Sequence, residues 1–192
     1  MLLKQLSDED KRTFLCLAEL LILCDRPVLW DGGRRVATAE TIHYSSVAIQ
    51  REEREAASFE ELASIAKDRG GVRLPFGLGA SRAKVESDLI ERIRKLSPLS
   101  EDDPAARWNV VRDMLRDMLK GKQAIMPSVP KLFLFELMML SLSGGSISSV
   151  RWHLLDDIRA HYHVEPFIFS DLLARAQSVH LETQKTVAII LE

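Results

Sequence analysis

Two stretches of this chain, residues 15–23 and 132–142, are apolar on every side of a helix, and each carries a single glutamate. A helix with no polar face cannot lie on a surface, so both segments must sit at the centre of the fold with other helices around them. Glu19 and Glu136 interrupt these runs, which are also too short to span a bilayer. The rest of the chain supplies what such a core needs: 46% of the 192 residues are hydrophobic and 28% charged, the balance of an ordinary globular protein. A formal net charge of -2 argues against nucleic-acid binding by phosphate neutralisation.

The punctuation between apolar runs is that of helices. Ser7 followed by Asp8, Glu9 and Asp10 reads as an N-cap with acids in the first turn, and Pro27 ends that helix. Residues 37–57 read as a second helix, and Ser58-Phe59-Glu60-Glu61 as a capping box opening a short third one. Gly70-Gly71 stops it, and residues 71–81 form the one long irregular loop. Further helices are expected over residues 84–95 and 104–120, then the second central helix behind Pro127 and Pro130. Another is capped by Ser146 or Ser148 and runs to Tyr162, and last come 166–176 and a separate section to residue 190. The expectation is an all-α, single-domain bundle of seven to nine helices over residues 1–192, with its irregular loop around 70–81.

The N-terminal residues lack the basic and apolar regions of a secretory signal, which predicts a cytoplasmic protein. The cysteines agree: Cys16 and Cys24 stand on one helix with a rise of about 12 Å between them, beyond disulfide reach.

The two apolar helices also resemble each other. LCLAELLILC at 15–24 aligns without gaps on LFLFELMMLS at 132–141, placing Glu19 on Glu136. A glycine turn follows each, Asp31-Gly32-Gly33 in the first half and Gly144-Gly145 in the second, and then another helix. In this pattern the chain resembles the TerB-like (tellurite-resistance TerB) family of helical domains. The first half offers Asp31-Gly32, Val36 and Glu40; the second offers Gly144-Gly145 and Ile147, with Arg151 where the family has a glutamate. The likeness is best over residues 132–176. It implies an all-helical cytoplasmic bacterial protein tied to stress or tellurite resistance and acting through a protein partner or as a homo-oligomer. It implies no enzymatic activity, and it suggests a divalent cation, Ca²⁺ or Mg²⁺, held by acids.

The residues themselves admit several sites. Glu19 and Glu136 would share a cation or a proton if their helices cross there, although a wet, exposed edge or a salt bridge to an arginine or lysine of a neighbouring helix is favoured. Asp25, Asp31 and Glu40 supply oxygen ligands near the first turn, but at a spacing unlike an EF-hand. His153, Asp157 and His161 recur at helical spacing, followed by His163; a solvated face is favoured over a zinc site. Gly77 to Ser81 lacks the strand and lysine of a phosphate-binding loop. Neither cysteine has a nearby base, and no nucleophile motif is present, so an enzyme is the less favoured reading. The apolar stripe of Trp108, Val111, Leu115, Met118 and Leu119 has near-heptad spacing, with a core-facing role favoured over a partner surface.

Overall fold

The computed structural model describes residues 3–30, 47–67, 78–96, 103–124 and 126–191. Among them are seven α-helices and one two-stranded antiparallel ribbon. The order is α1 (Asp8–Leu23), β1 (Val28–Trp30), β2 (Val47–Ile49), α2 (Glu53–Lys67), α3 (Leu78–Arg94), α4 (Pro104–Leu119), α5 (Ser128–Ser143), α6 (Ser149–His161) and α7 (Pro166–Leu191).

The two segments without a polar face are the hubs. α1 touches α2, α3, α4 and α5, while α5 touches α1, α2, α6 and α7. Phe14 and Phe133 meet between them with ring centroids 5.6 Å apart, and Tyr162 closes edge-on over Phe133. Leu17, Leu20, Leu21, Leu134, Leu137 and Met138 are wholly buried around this contact. Each such side chain contributes roughly 1.5–3 kcal/mol through removal from water. The stripe on α4 faces this core: Val111, Leu115 and Leu119 are buried, with Trp108 and Met118 packed beside them.

The caps follow the chemistry of the chain. Ser7 accepts the N–H of Asp10, Asp103 that of Ala105 ahead of Pro104, and Ser148 that of Arg151. Ser148, not Ser146, is therefore the cap of α6.

Four features depart from the sequence expectations. Residues 47–49 are a strand, not part of a helix over 37–57. Val28 pairs with Ile49 and Trp30 with Val47, and the Gln50 N–H donates to the Pro27 carbonyl at 3.0 Å. β-branched residues beside a complementary strand gain more from pairing than from a short helix. The fold is accordingly mostly helical rather than all-α. Second, α2 runs unbroken through Ser58, so the apparent capping box lies inside a helix. A cap needs an extended residue before the first turn, and Ala56-Ala57 continue the helix instead. Third, α3 starts at Leu78, so the last part of the expected loop is helical. Leu78 and Ala80 favour helix, and the lone Gly79 costs only about 1 kcal/mol. Fourth, α7 is one helix of 26 residues rather than two, having no glycine or proline after Pro166.

Candidate functional site

The end of α1, the end of the ribbon, and the first turns of α2 and α6 converge on a cluster of buried charge. Its centre is Glu55, in the first turn of α2, whose side chain is 0% exposed. The Arg151 guanidinium, 3% exposed, grips it with two bonds: Nη1 to Oε1 at 2.6 Å and Nη2 to Oε2 at 3.1 Å. Arg26 approaches the second oxygen at 2.5 Å and also donates to Glu52. Arg151 Nη2 reaches a further carboxylate, Asp25 Oδ1, at 3.0 Å. The fork geometry of guanidinium on carboxylate makes this the strong, directional kind of charge pair.

Two glycines shape the turn beside it. Gly144 has an ordinary φ of -80°, yet a Cβ there would overlap Glu55 Oε1, so the turn after α5 needs glycine for space. Gly145 has a φ of +98° and needs glycine for its backbone. A neighbouring arginine, Arg107 of α4, donates to the carbonyls of Leu23, Cys24 and Arg26 at 2.9–3.0 Å. It thereby satisfies acceptors that the end of α1 leaves open.

A second buried carboxylate lies along α1. Glu19 is 0% exposed and accepts from Arg51 Nη2 at 2.5 Å; the same nitrogen donates to Glu86 of α3 at 2.8 Å. Arg51 comes from the extended residues just before α2. Glu136 is likewise buried, on α5. Asp25 is a partner of Arg151, while Asp31 and Glu40 lie outside the described residues. A cation at Glu19 or Asp25 would have to displace a guanidinium already in place. Among the described residues, no three His, Cys, Asp or Glu side chains are grouped to hold a metal ion.

The environment fixes the protonation states. Burial pushes the Glu55 carboxyl up, but hydrogen bonds from Arg151 and Arg26 outweigh it and hold Glu55 below the usual carboxylate range. Burial works against the charge on Arg151, and the Glu55 hydrogen bond with the nearby Asp25 overcomes it. Arg26 and Arg51 are raised in the same way by their carboxylate partners against burial. Burial, with the Asp25 charge adding to it, takes the Cys24 thiol up to about 12. Burial and Glu19 raise Cys16. A carboxylate clamped between guanidiniums neither takes up nor gives up a proton near neutrality, and the protonated thiols are poor nucleophiles. The arrangement pins elements together rather than moving protons.

The histidine series separates in space. His153 lies tilted against Trp108 with ring centroids 5.4 Å apart, Asp157 faces Arg112 at 3.3 Å, and His161 Nε2 lies 2.9 Å from the Lys122 carbonyl.

From the sequence Arg151 stood out only as a departure from the TerB-like pattern, and residues 51–55 only as part of a helix over 37–57. A signal was present in both cases. Glu55 shares a stripe with Phe59, Leu62 and Ala63, and Arg151 sits beside Val150, Leu154 and Leu155 on the buried side of α6. A charge on an apolar stripe calls for a buried counter-charge. No protein-family model matches the chain, and neither does any curated protein or solved structure.

Proposed function

We propose that this chain is a non-enzymatic helical protein of the TerB-like kind, working through protein contacts in bacterial stress or tellurite resistance. In this reading the distal half of α7 is the contacting surface, and a second copy of the chain is its occupant.

One observation carries the reading. Leu172, Ala176, Val179, Thr183, Thr186 and Ile190 follow one another at alternating spacings of four and three, the seam of a helix that pairs with another helix. The seam begins inside the body, where Leu172 packs on the core and Ala176 is buried, and then continues into solvent. Val179 is 45% exposed and Ile190 73%. Both threonine hydroxyls fold back onto their own helix, Thr183 to the Val179 carbonyl at 2.8 Å and Thr186 to that of Glu182 at 2.9 Å. Their methyl groups are left to serve as apolar positions. A continuous seam that leaves the core without changing character suits a like helix, which is why a second copy fits it.

Two further features support the reading. The carboxylates of the buried cluster are committed to arginines, which suits a scaffold better than a catalyst. Several aligned positions of α1 and α5 are buried in both, Leu17 with Leu134, Glu19 with Glu136, Leu20 with Leu137 and Leu21 with Met138, while others, such as Ala18 and Phe135, differ. A duplicated apolar helix is the architecture that the TerB-like resemblance implies.

The test is light scattering of the full chain across a concentration series, beside the double variant Val179→Glu/Ile190→Glu. The wild type should shift from monomer toward dimer as concentration rises, and the variant should stay monomeric with unchanged helicity. A monomeric wild type at several hundred micromolar, or a dimer indifferent to the variant, removes the self-pairing reading. Growth of a bacterial host on tellurite, expressing either chain, tests the setting.

A further inference from the structure

A cleft opens between the segment that leads into α5 and the corner joining α6 to α7. It encloses about 810 Å³. Pro130, Val164 and Ile168, buried or half-buried, supply an apolar floor with Pro127 exposed at its edge; Lys122 and Lys131 bring positive charge, and His161 and His163 bring ring nitrogens. Glu165 is the one acidic side chain among its lining residues. The first turn of α5 opens onto the same space, and its N-cap, Pro127, supplies no side-chain hydrogen bond to that turn.

The corner itself is unusual. α6 ends in a turn in which the Val164 N–H donates to the Arg159 carbonyl at 3.0 Å and the His163 N–H to that of Ala160 at 3.2 Å. This is the Schellman arrangement, whose left-handed position is ordinarily glycine. Here that position is His163, with a φ of +54°. A residue other than glycine in left-handed backbone is uncommon, histidine being one of those that adopt it more often, and backbone of this kind gathers where a side chain serves a ligand. The side chains of His163 and Lys131 make no ion pair or hydrogen bond among the described residues. Lys122 is bound on one side only, to Glu9 at 2.5 Å, and an ammonium carries further donors. Tyr162 adds a phenol whose hydroxyl has no partner among the described residues; burial, with Asp10 adding to it, takes it up to about 12, so it stays a donor.

We infer that this cleft binds a small organic anion, a carboxylate or phosphate monoester borne on an apolar ring or chain. Lys131 and His163 receive the anionic group, and the proline and isoleucine floor takes the apolar body. An apolar cleft with a few convergent polar groups is the general form of a small-molecule site. The charge of the rim selects the sign of the ligand, and the floor distinguishes an organic anion from an inorganic one. The site is independent of the surface on distal α7 and stands or falls separately.

Titration of the full chain with phenyl phosphate, followed by calorimetry and by the ring signals of His161 and His163, is the test, with inorganic phosphate and benzyl alcohol as comparison probes. Phenyl phosphate should bind saturably and at least tenfold more tightly than either comparison probe. Lys131→Gln should weaken it fivefold or more. His163→Gly should raise the melting temperature, by relieving the backbone, while weakening binding fivefold or more. These opposite signs are what a purely structural histidine would not give. Absence of saturable binding, equal affinity for benzyl alcohol or inorganic phosphate, or binding untouched by His163→Gly would overturn the inference.

Discussion

The carboxylate of Glu55 lies directly against Gly144, so close that the smallest side chain at residue 144 would occupy the place of Oε1. The charge cluster and the glycine turn are therefore one device, built from α2 on one side and the α5–α6 connection on the other. Gly144→Ala must push the carboxylate off Arg151 or move the turn. It should cost about 1–3 kcal/mol, the range of overpacking in a tight interior. Urea denaturation measures it. Pairing it with Glu55→Asp, which withdraws the carboxylate by one methylene, should make the alanine less costly; simple additivity of the two losses would contradict the steric account.

Removing the charge at the centre should be worse than crowding it. Glu55→Gln takes the buried carboxylate from between Arg26 and Arg151 and leaves them only their less buried partners, Glu52 and Asp25; breaking a buried pair of this kind costs about 3–5 kcal/mol. A concerted change to apolar residues, Glu55→Leu with Arg151→Met, should recover part of that loss, because the most buried pair is removed whole while Arg26 keeps Glu52 and the partly exposed Asp25 can turn to water. Equal destabilisation by the single and the double variant would refute the pairing.

Acid should weaken the same contact in a defined direction. The folded-state pKa of Glu55 lies below the ordinary carboxylate value, held there by Arg151 and Arg26 against burial. Its contribution is therefore fully present above the unfolded-state pKa of about 4.3 and is lost as pH falls through the lower folded value. The stability gap between wild type and Glu55→Gln should be constant from neutrality to about pH 5 and close below about pH 4. A gap that widens in acid would mean the sign is wrong.

Burial should also separate the arginine pairs. Arg51→Met takes from Glu19, which has no exposed surface, its guanidinium partner. A loss of about 1.5–3 kcal/mol is expected for a hydrogen bond to a charged group in such a setting. The pair between Arg92 and Asp117 has similar geometry but is 35% and 66% exposed. Arg92→Met should cost less than about 1 kcal/mol, since solvent screens that pair. Comparable losses would show that geometry rather than burial sets the energy.

Thiol chemistry gives a further check. Cys24 is buried, its thiol is pushed up to about 12, and its Sγ–H donates to the Leu21 carbonyl at 3.1 Å. A disulfide reagent at pH 8 should label Cys16, which is half-buried, before Cys24. Cys24 should react only at the rate of unfolding. Rapid double labelling of folded protein would contradict its burial.

What could be read from the chain alone was what local physics decides. The absence of a polar face put α1 and α5 at the centre, and Ser7, Pro104 and Ser148 marked helix starts because a cap is satisfied within three residues. The ribbon was not legible: Val47–Ile49 becomes a strand only because Val28–Trp30 lies beside it. Arg51 was hidden for the same reason, since its partners, Glu19 and Glu86, stand 32 and 35 residues away in the sequence. Glu55 and Arg151 are 96 residues apart, and nothing near either names the other. Helical periodicity marks both as facing inward, but the choice of counter-charge is made by packing.

The length of α7 has an energetic consequence of its own. At 26 residues it is about 39 Å long, and beyond Ala176 none of its residues is buried. A free helix of that remaining length is marginal in water, because each turn rests on the one before it. Order in the outer turns is thus supplied from the anchored end and should fade toward Leu191, giving amide exchange a slope along one unbroken helix. A helix of this kind is a gauge: whatever clasps its far end levels the slope, and the change in protection at Ile189 and Ile190 reports occupancy without any shift in the core.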